Sequence, residues 1–218
     1  MAKQHLKRLA MPKSWPIERK GITFVTRPKP GTHSFAQGMP ISLVFRDVLK
    51  LAENIREVRY ILQKTEVKVD GKRRKDEHFL LGLMDVLEFP GKAYRMLIST
   101  KGKLVLVEEK HPQEKPCKVV GKRLVKGKVQ IALHDGTTLL TDKPMKVGDS
   151  IVLKQRQISE VLPFKEGSKV FLTGGKHVGE TGTIEHLSGR QIVCKTAEAS
   201  FETDRCYAFV IPPTITIP

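Results

Sequence analysis

The sequence predicts an α+β chain of several small domains: a basic extended arm, a small helical domain, a central all-β domain and a closing five-stranded barrel. Three observations carry this. Apolar residues at helical spacing are confined to residues 41–64. Beyond residue 90, short apolar runs alternate with Lys-Gly, Asp-Gly and Gly-Asp turns. The 218 residues are 39% hydrophobic, low for one compact globule and too high for a disordered chain, so the chain folds around several small cores.

Residues 1–36 read as the arm. Lys3, Lys7, Arg8, Lys13, Arg19, Lys20, Arg27 and Lys29 face only Glu18, and Pro12, Pro16, Pro28 and Pro30 block a long helix. Trp15, Phe24 and Phe35 are interleaved with the charges. Such rings have no reason to stay in water. The expectation is an arm that orders on RNA, its cations on phosphates and its aromatics on bases or in crevices.

Residues 37–89 form the helical domain, with two helices within 41–64. Val44, Val48, Leu51 and Ala52 make the first apolar stripe, with Arg46 and Lys50 on another face. Asn54 with Glu57 reads as a capping box for the second helix, which buries Ile55, Val58, Ile61 and Leu62. Arg56, Arg59, Gln63 and Lys64 fall outside that stripe. A strand with Lys68 follows, then the Asp70-Gly71 turn and the run Lys72, Arg73, Arg74, Lys75. Beside the helix arginines this run is expected to form one wall of a phosphate-binding concavity.

Residues 90–163 read as the central β domain, with strands flanking Lys101-Gly102 and Asp135-Gly136 and a cluster of Lys115, Lys118, Lys122, Arg123, Lys126 and Lys128. Residues 164–212 hold strands at Lys169–Leu172, Thr183–His186, Arg190–Lys195 and Cys206–Ile211, which suits an SH3-like barrel of five short strands. Between the first two strands lies a loop whose Gly174, Gly179 and Gly182 are expected to supply positive φ. Lys176 and His177 ride on it, and His177 is a candidate phosphate contact. Residues 213–218 read as a short tail.

The net charge of +16 and a pI near 9.9 point to a polyanionic partner, since each neutralised phosphate releases a counterion. No apolar run is long enough to span a bilayer and Met1–Met11 lacks a signal pattern, so a cytoplasmic location and no membrane partner are expected. Cys117, Cys194 and Cys206 have no metal-site spacing and read as small buried hydrophobes. The glycine loop is not a Walker loop, because His177 stands where Ser or Thr would follow Gly175-Lys176. The dispersed histidines and the turn-bound Asp85, Asp135 and Asp149 make no catalytic grouping. No enzyme activity, metal, cofactor or small-molecule substrate is expected.

Two segments resemble known modules. Val170, Gly174, Gly179, Gly182 and Ile184 have the spacing of the KOW motif of ribosomal and transcription-elongation proteins. The helix pair followed by Lys68-Val69-Asp70-Gly71-Lys72 is similar to the alpha-L RNA-binding domain first described in ribosomal protein S-four. These stand in a fixed order with Lys3–Arg8, Pro30-Gly31-Thr32-His33, Gly82-Leu83-Met84-Asp85-Val86, His134-Asp135-Gly136 and Val147-Gly148-Asp149-Ser150. The whole order resembles the archaeal and eukaryotic small-subunit ribosomal protein family written S-four-e. Residues 34–37, Ser-Phe-Ala-Gln, lack the basic character associated with the eukaryotic members, and no long extension follows the KOW segment, which looks archaeal. The resemblance implies a structural, ribosomal-RNA-binding constituent of the small subunit, with ribosomal RNA and neighbouring ribosomal proteins as partners. Two other readings compete: a KOW-bearing transcription or ribosome-assembly factor that binds RNA transiently, and an RNA-modifying enzyme carrying an alpha-L domain. The enzyme reading lacks a large catalytic domain.

Overall fold

The computed structural model describes residues 5–109, 111–125, 127–154, 157–196, 199–213 and 215. The chain divides into two compact units. One takes in the chain up to Leu97 together with Lys103–Pro112; the other takes in Ile98–Gly102 and the chain from Gln113.

In the first unit the arm is built in. β1 (Leu6–Lys7) pairs antiparallel with β2 (Phe24–Val25). Trp15 is fully buried and its Nε1 donates to the Gly38 carbonyl at 2.8 Å, while Phe35 packs on its ring. Met11 and Val25 are buried as well. The described part of the arm, expected to order on RNA, is thus tied in by the chain itself: apolar residues too sparse for a core of their own join the core of the unit.

β3 (Gly38–Pro40) leads into α1 (Ile41–Leu43), which continues as a π-helical turn over Val44–Val48. The expected first helix is therefore a short wound segment. Its β-branched Ile41, Val44 and Val48 are poor helix formers, and Lys50 ends it at φ 53°. α2 (Ile55–Lys64) forms as its capping signals predict. Asn54 Oδ1 accepts from the N–H groups of Arg56 and Glu57, and Glu57 accepts from Glu53 N–H.

β4 (Lys68–Val69) and β5 (Lys72–Arg73) flank Asp70 and Gly71, both at positive φ, as a tight hairpin needs. β6 (Leu80–Gly82) pairs with β3. β7 (Val86–Phe89), β8 (Lys92–Ile98) and β9 (Leu104–Glu108) complete a sheet in the order β5-β4-β7-β8-β9. This sheet runs across the boundary expected at residue 89. Pro90 and Gly91 form the tip of a hairpin whose strands pair from Val86 with Arg95 to Phe89 with Lys92.

The second unit holds two five-stranded antiparallel sheets. β10 (Glu114–Val125), β11 (Lys128–Leu133), β12 (Thr138–Thr141), β13 (Ser150–Lys154) and β14 (Gln157–Leu162) lie in the order β12-β11-β10-β13-β14. They enclose Cys117, Val119, Ile131, Leu133, Met145, Ile151 and Leu153. β15 (Lys169–Leu172), β16 (Thr181–Ser188), β17 (Gln191–Lys195), β18 (Ser200–Asp204) and β19 (Ala208–Val210) lie in the order β18-β17-β16-β15-β19, around Phe164, Val170, Leu172, Ile184, Ile192, Cys194 and Val210. β18 carries no turn signal and was not expected. Cys117 and Cys194 are buried as expected, whereas Cys206 is exposed. Ile215 is buried, so the chain is still packed within the expected tail.

Candidate nucleic-acid interface

The arm supplies almost no acid of its own. Glu18 is the single acid in residues 1–36, against eight Lys and Arg. Lys7, Lys13 and Lys20 are exposed and make no ion pair among the described residues. Others are committed to structure. Arg8 is buried, donating to the Glu18 carbonyl and facing Asp47 at 3.9 Å. Arg19 donates to the Leu9 and Met11 carbonyls, and Lys29 pairs with Asp76. Burial alone would raise the Asp76 carboxyl; the Lys29 ammonium and the His78 N–H hold it below its usual range. Arg27 is exposed. Lys3 lies outside the described residues. Trp15, expected to touch RNA, is excluded by its complete burial.

α2 and the β4–β5 hairpin bring the next group together. Arg56, Tyr60 and Lys64 follow at four-residue spacing, so they share one face of the helix, away from buried Val58 and Leu62. Arg73 is exposed, and its Nη2 donates to the Gln63 carbonyl in the last turn of α2. That bond ties the hairpin to the helix end. Lys72 and Lys75 are exposed without an ion-pair partner among the described residues, as is Lys50. Arg59 differs: its Nε and Nη2 both donate to Glu77 Oε1, at 2.8 and 2.6 Å. This bond holds the Glu77 carboxyl below its usual range and raises Arg59. Arg46 is paired with Asp47 and Lys68 with Glu66. Arg74 lays its guanidinium over the Phe79 ring at 4.2 Å. These four have protein partners.

In the second unit the expected lysine cluster splits by strand register. Lys115 shares the inward face of β10 with Cys117 and Val119, and its buried ammonium lies 3.0 Å from Asp135 Oδ2. Burial pushes the Asp135 carboxyl up; the Lys115 charge and the Thr137 hydroxyl and N–H outweigh it and hold it low. Lys118 points to the other face, where its Nζ donates to the carbonyls of Cys206 at 2.8 Å and Ala208 at 2.7 Å, with Arg205 O at 3.4 Å. Burial pushes this ammonium down to about 8; nearby Arg205 acts in the same sense and Cys206 opposes it. Lys118 is therefore a strut. Lys122 is exposed, although its Nζ donates to the Met145 carbonyl. Arg123 and Lys128 are exposed, as are Lys169, Lys176 and Arg190. Lys126 lies outside the described residues.

The glycine loop is tighter than expected. Gly179 has φ +83°, and a Cβ there would sit 2.4 Å from the Ser99 carbonyl carbon. Gly174 and Gly182 do not take positive φ. They are required by space: a Cβ would meet the Tyr207 ring at 2.5 Å or the Lys195 carbonyl oxygen at 2.8 Å. His177 stacks on Phe201 at 3.7 Å with its Nδ1 3.1 Å from Glu180, so its ring has protein partners on the loop. The three turn aspartates do the structural work expected. Asp85 accepts from Gly82 N–H and binds His33, Asp135 accepts from Thr137, and Asp149 accepts from the N–H groups of Lys146 and Phe164.

The residue missed from sequence is Tyr60, the exposed ring of the Arg56–Lys64 face. Its position four residues from each cation was a usable signal. Among the described residues no group of His, Cys, Asp and Glu is placed to hold a metal ion, and no helix is long and apolar enough to cross a membrane.

Comparison with known proteins adds independent findings. Residues 90–157 match the family described as Ribosomal family S4e, and residues 2–36 match the RS4NT domain. Small ribosomal subunit protein eS4 of Methanocella arvoryzae is 40% identical, covering 97% of this chain and 95% of its own length. The protein of the same name from Methanothermobacter thermautotrophicus is 38% identical over 96% of this chain and 93% of its own. The crystal structure of 30S ribosomal protein S4e from Thermoplasma acidophilum superposes with a TM-score of 0.71 at 34% identity, covering 80% of this chain and 95% of that one.

Proposed function

The chain belongs to the S4e family of ribosomal proteins, and from that premise we infer that it is a structural constituent of the small ribosomal subunit which binds ribosomal RNA. It is not an enzyme. Its place of work is the ribosome, with ribosomal RNA and other ribosomal proteins as its surroundings. The observation that carries this is similarity over nearly the full length of chain and relatives, not a match confined to one RNA-binding module.

Its mechanism is assembly and stabilisation. Cations without protein partners neutralise phosphates where RNA segments crowd together. In this reading the RNA-facing set is Lys7, Lys13 and Lys20 in the arm, Arg56 and Lys64 with Tyr60 on α2, Lys72 and Lys75 on the hairpin with the exposed Arg73 that braces it, and Arg123, Lys128, Lys169, Lys176 and Arg190 in the second unit. The α2–hairpin segment acts as the alpha-L module and the last five strands as the KOW barrel, each holding a separate RNA segment. The paired arginines and Lys118 keep those modules rigid.

The test is sedimentation of the tagged chain through a high-salt gradient. A subunit constituent travels with the small subunit, and a transiently bound assembly or transcription factor washes off. Recovery only in the free fraction would overturn the reading. The purified chain is also expected to bind a small-subunit ribosomal RNA transcript with log K falling by about 0.7–0.9 per contacted phosphate per decade of salt.

A further inference from the structure

The β1–β2 hairpin leaves an unusual face in solvent. Lys7 and Phe24 are directly opposed in register, so their side chains lie on the same side, while Leu6 and Val25 face inward. Phe24 is 53% exposed, and the exposed His5 ring lies 5.6 Å from it, tilted by 49°. Ile22 and Leu9 beside this strand pair are 68% and 70% exposed. Three large apolar side chains on so small a hairpin mark an interaction site, since apolar groups in a cluster of this kind are removed from water only by a partner.

The charge decides which partner. Lys7 stands on this face, Lys20 lies two residues before Ile22 in the chain, and Glu18 is the single acid in the arm's sequence. An exposed ring with an exposed lysine directly opposite it in the strand pair fits a ligand with flat, stackable faces on an anionic backbone. A protein neighbour would have to supply acids of its own to this surface. Of the two other arm aromatics, Trp15 is in the core and Phe35, 40% exposed, packs on its ring; Phe24, at 53%, is the more exposed and the one that shares its face with a lysine.

We propose that the exposed face of the β1–β2 hairpin is a stacking site for an unpaired nucleobase of RNA, with Phe24 as the platform, His5 beside it and Lys7 on the adjoining phosphate. This rests on the reading of the chain as an RNA-binding subunit protein and names one site within it. Phe24 supplies the π face, and Lys7 contributes charge without sequence preference.

The full chain offers a direct probe, because its single tryptophan is buried. Phe24→Trp adds an exposed indole, whose emission a small-subunit ribosomal RNA transcript quenches on binding, while wild-type Trp15 emission stays nearly unchanged. Phe24→Ala weakens affinity for that transcript by at least about fivefold, the size of one base–aromatic contact, and Phe24→Trp restores it. Trp15 emission in Phe24→Ala, matching wild type, shows that the fold is kept. An unquenched Phe24→Trp bound to RNA, or a Phe24→Ala of wild-type affinity, overturns the proposal. If such a Phe24→Ala is nevertheless poorly incorporated into small subunits, the face takes a protein neighbour. Failure of the wild-type chain to bind the transcript at all is a different result, and it strikes the proposed function itself.

Discussion

α2 and β10 carry similar densities of positive charge and use it in opposite ways. On α2 the cations Arg56 and Lys64 sit away from the buried stripe, exposed and without an ion-pair partner among the described residues. On β10 Lys115 is buried against Asp135 and Lys118 is lodged among backbone carbonyls; only the far end of the strand, with Lys122 and Arg123, is exposed. A helix with one buried stripe sorts its charges by angle. A strand covered on both sides at one end has no free face there, and its lysines reach inward acceptors instead. Positive charge in a sequence is therefore evidence of RNA contact only where the backbone provides a solvated face.

The largest effect that would sharpen this contrast is expected at Asp135. Asp135→Ala removes the carboxylate 3.0 Å from the buried Lys115 ammonium and should destabilise the chain by about 3–5 kcal/mol in denaturant unfolding. The sign with pH is fixed by the lowered carboxyl. Its contribution is fully present above the unfolded carboxylate pKa, and it is lost as pH falls through the lower folded value. An unfolding midpoint equal to wild type would show that the pair contributes nothing.

Lys118→Met should come next, at about 1–3 kcal/mol, because the partly buried carbonyls of Arg205 and Ala208 lose their donor. Here the folded ammonium titrates near 8 against 10.5 when unfolded. The unfolded state binds more protons between those values, so wild-type stability gains from this group as pH rises from about 8 to 10.5. That gain should vanish in Lys118→Met, measured as unfolding free energy against pH. A gain that persists would assign it to another group.

The helix cap follows. Asn54→Ala should cost about 1 kcal/mol, read from the denaturant midpoint. Smallest in stability is the pair Arg56→Ala and Lys64→Ala, expected to shift unfolding by no more than about 0.5 kcal/mol. The same pair should lower the salt slope of RNA binding by about 1.5 units, two phosphate contacts' worth. Were this pair to unfold the protein at unchanged RNA affinity, the contrast between α2 and β10 would collapse. Arg59 belongs to neither class cleanly, since its exposed guanidinium is held by Glu77.

What could be read in advance follows from range in the chain. The α2 cap, the Asp70-Gly71 turn and the buried stripe are signals spanning a few residues, and they stand as expected. The fates of Lys115 and Lys118 depend on residues 20 and about 90 positions away, with a register irregularity between Val119 and Gly121, so no local pattern reveals them. Trp15 misled for a similar reason: its acceptor, the Gly38 carbonyl, is 23 residues on. A ring surrounded by charges in sequence was a ring surrounded by core in space. Gly174 and Gly182 were singled out correctly and explained wrongly, because crowding by Tyr207 and Lys195 is invisible to a rule about φ.

The His33 ring lies so close over Gly82 that a Cβ there would be 2.1 Å from its Cγ, and its Nε2 meets Asp85 at 2.9 Å. Any side chain at position 82 evicts the ring; a smaller residue at 33 leaves a hollow over the glycine and takes the imidazole from Asp85. No single one of these three positions improves by changing alone. They constitute one heritable unit made of two stretches of sequence, and lineages of this protein can be expected to keep all three or to exchange them together.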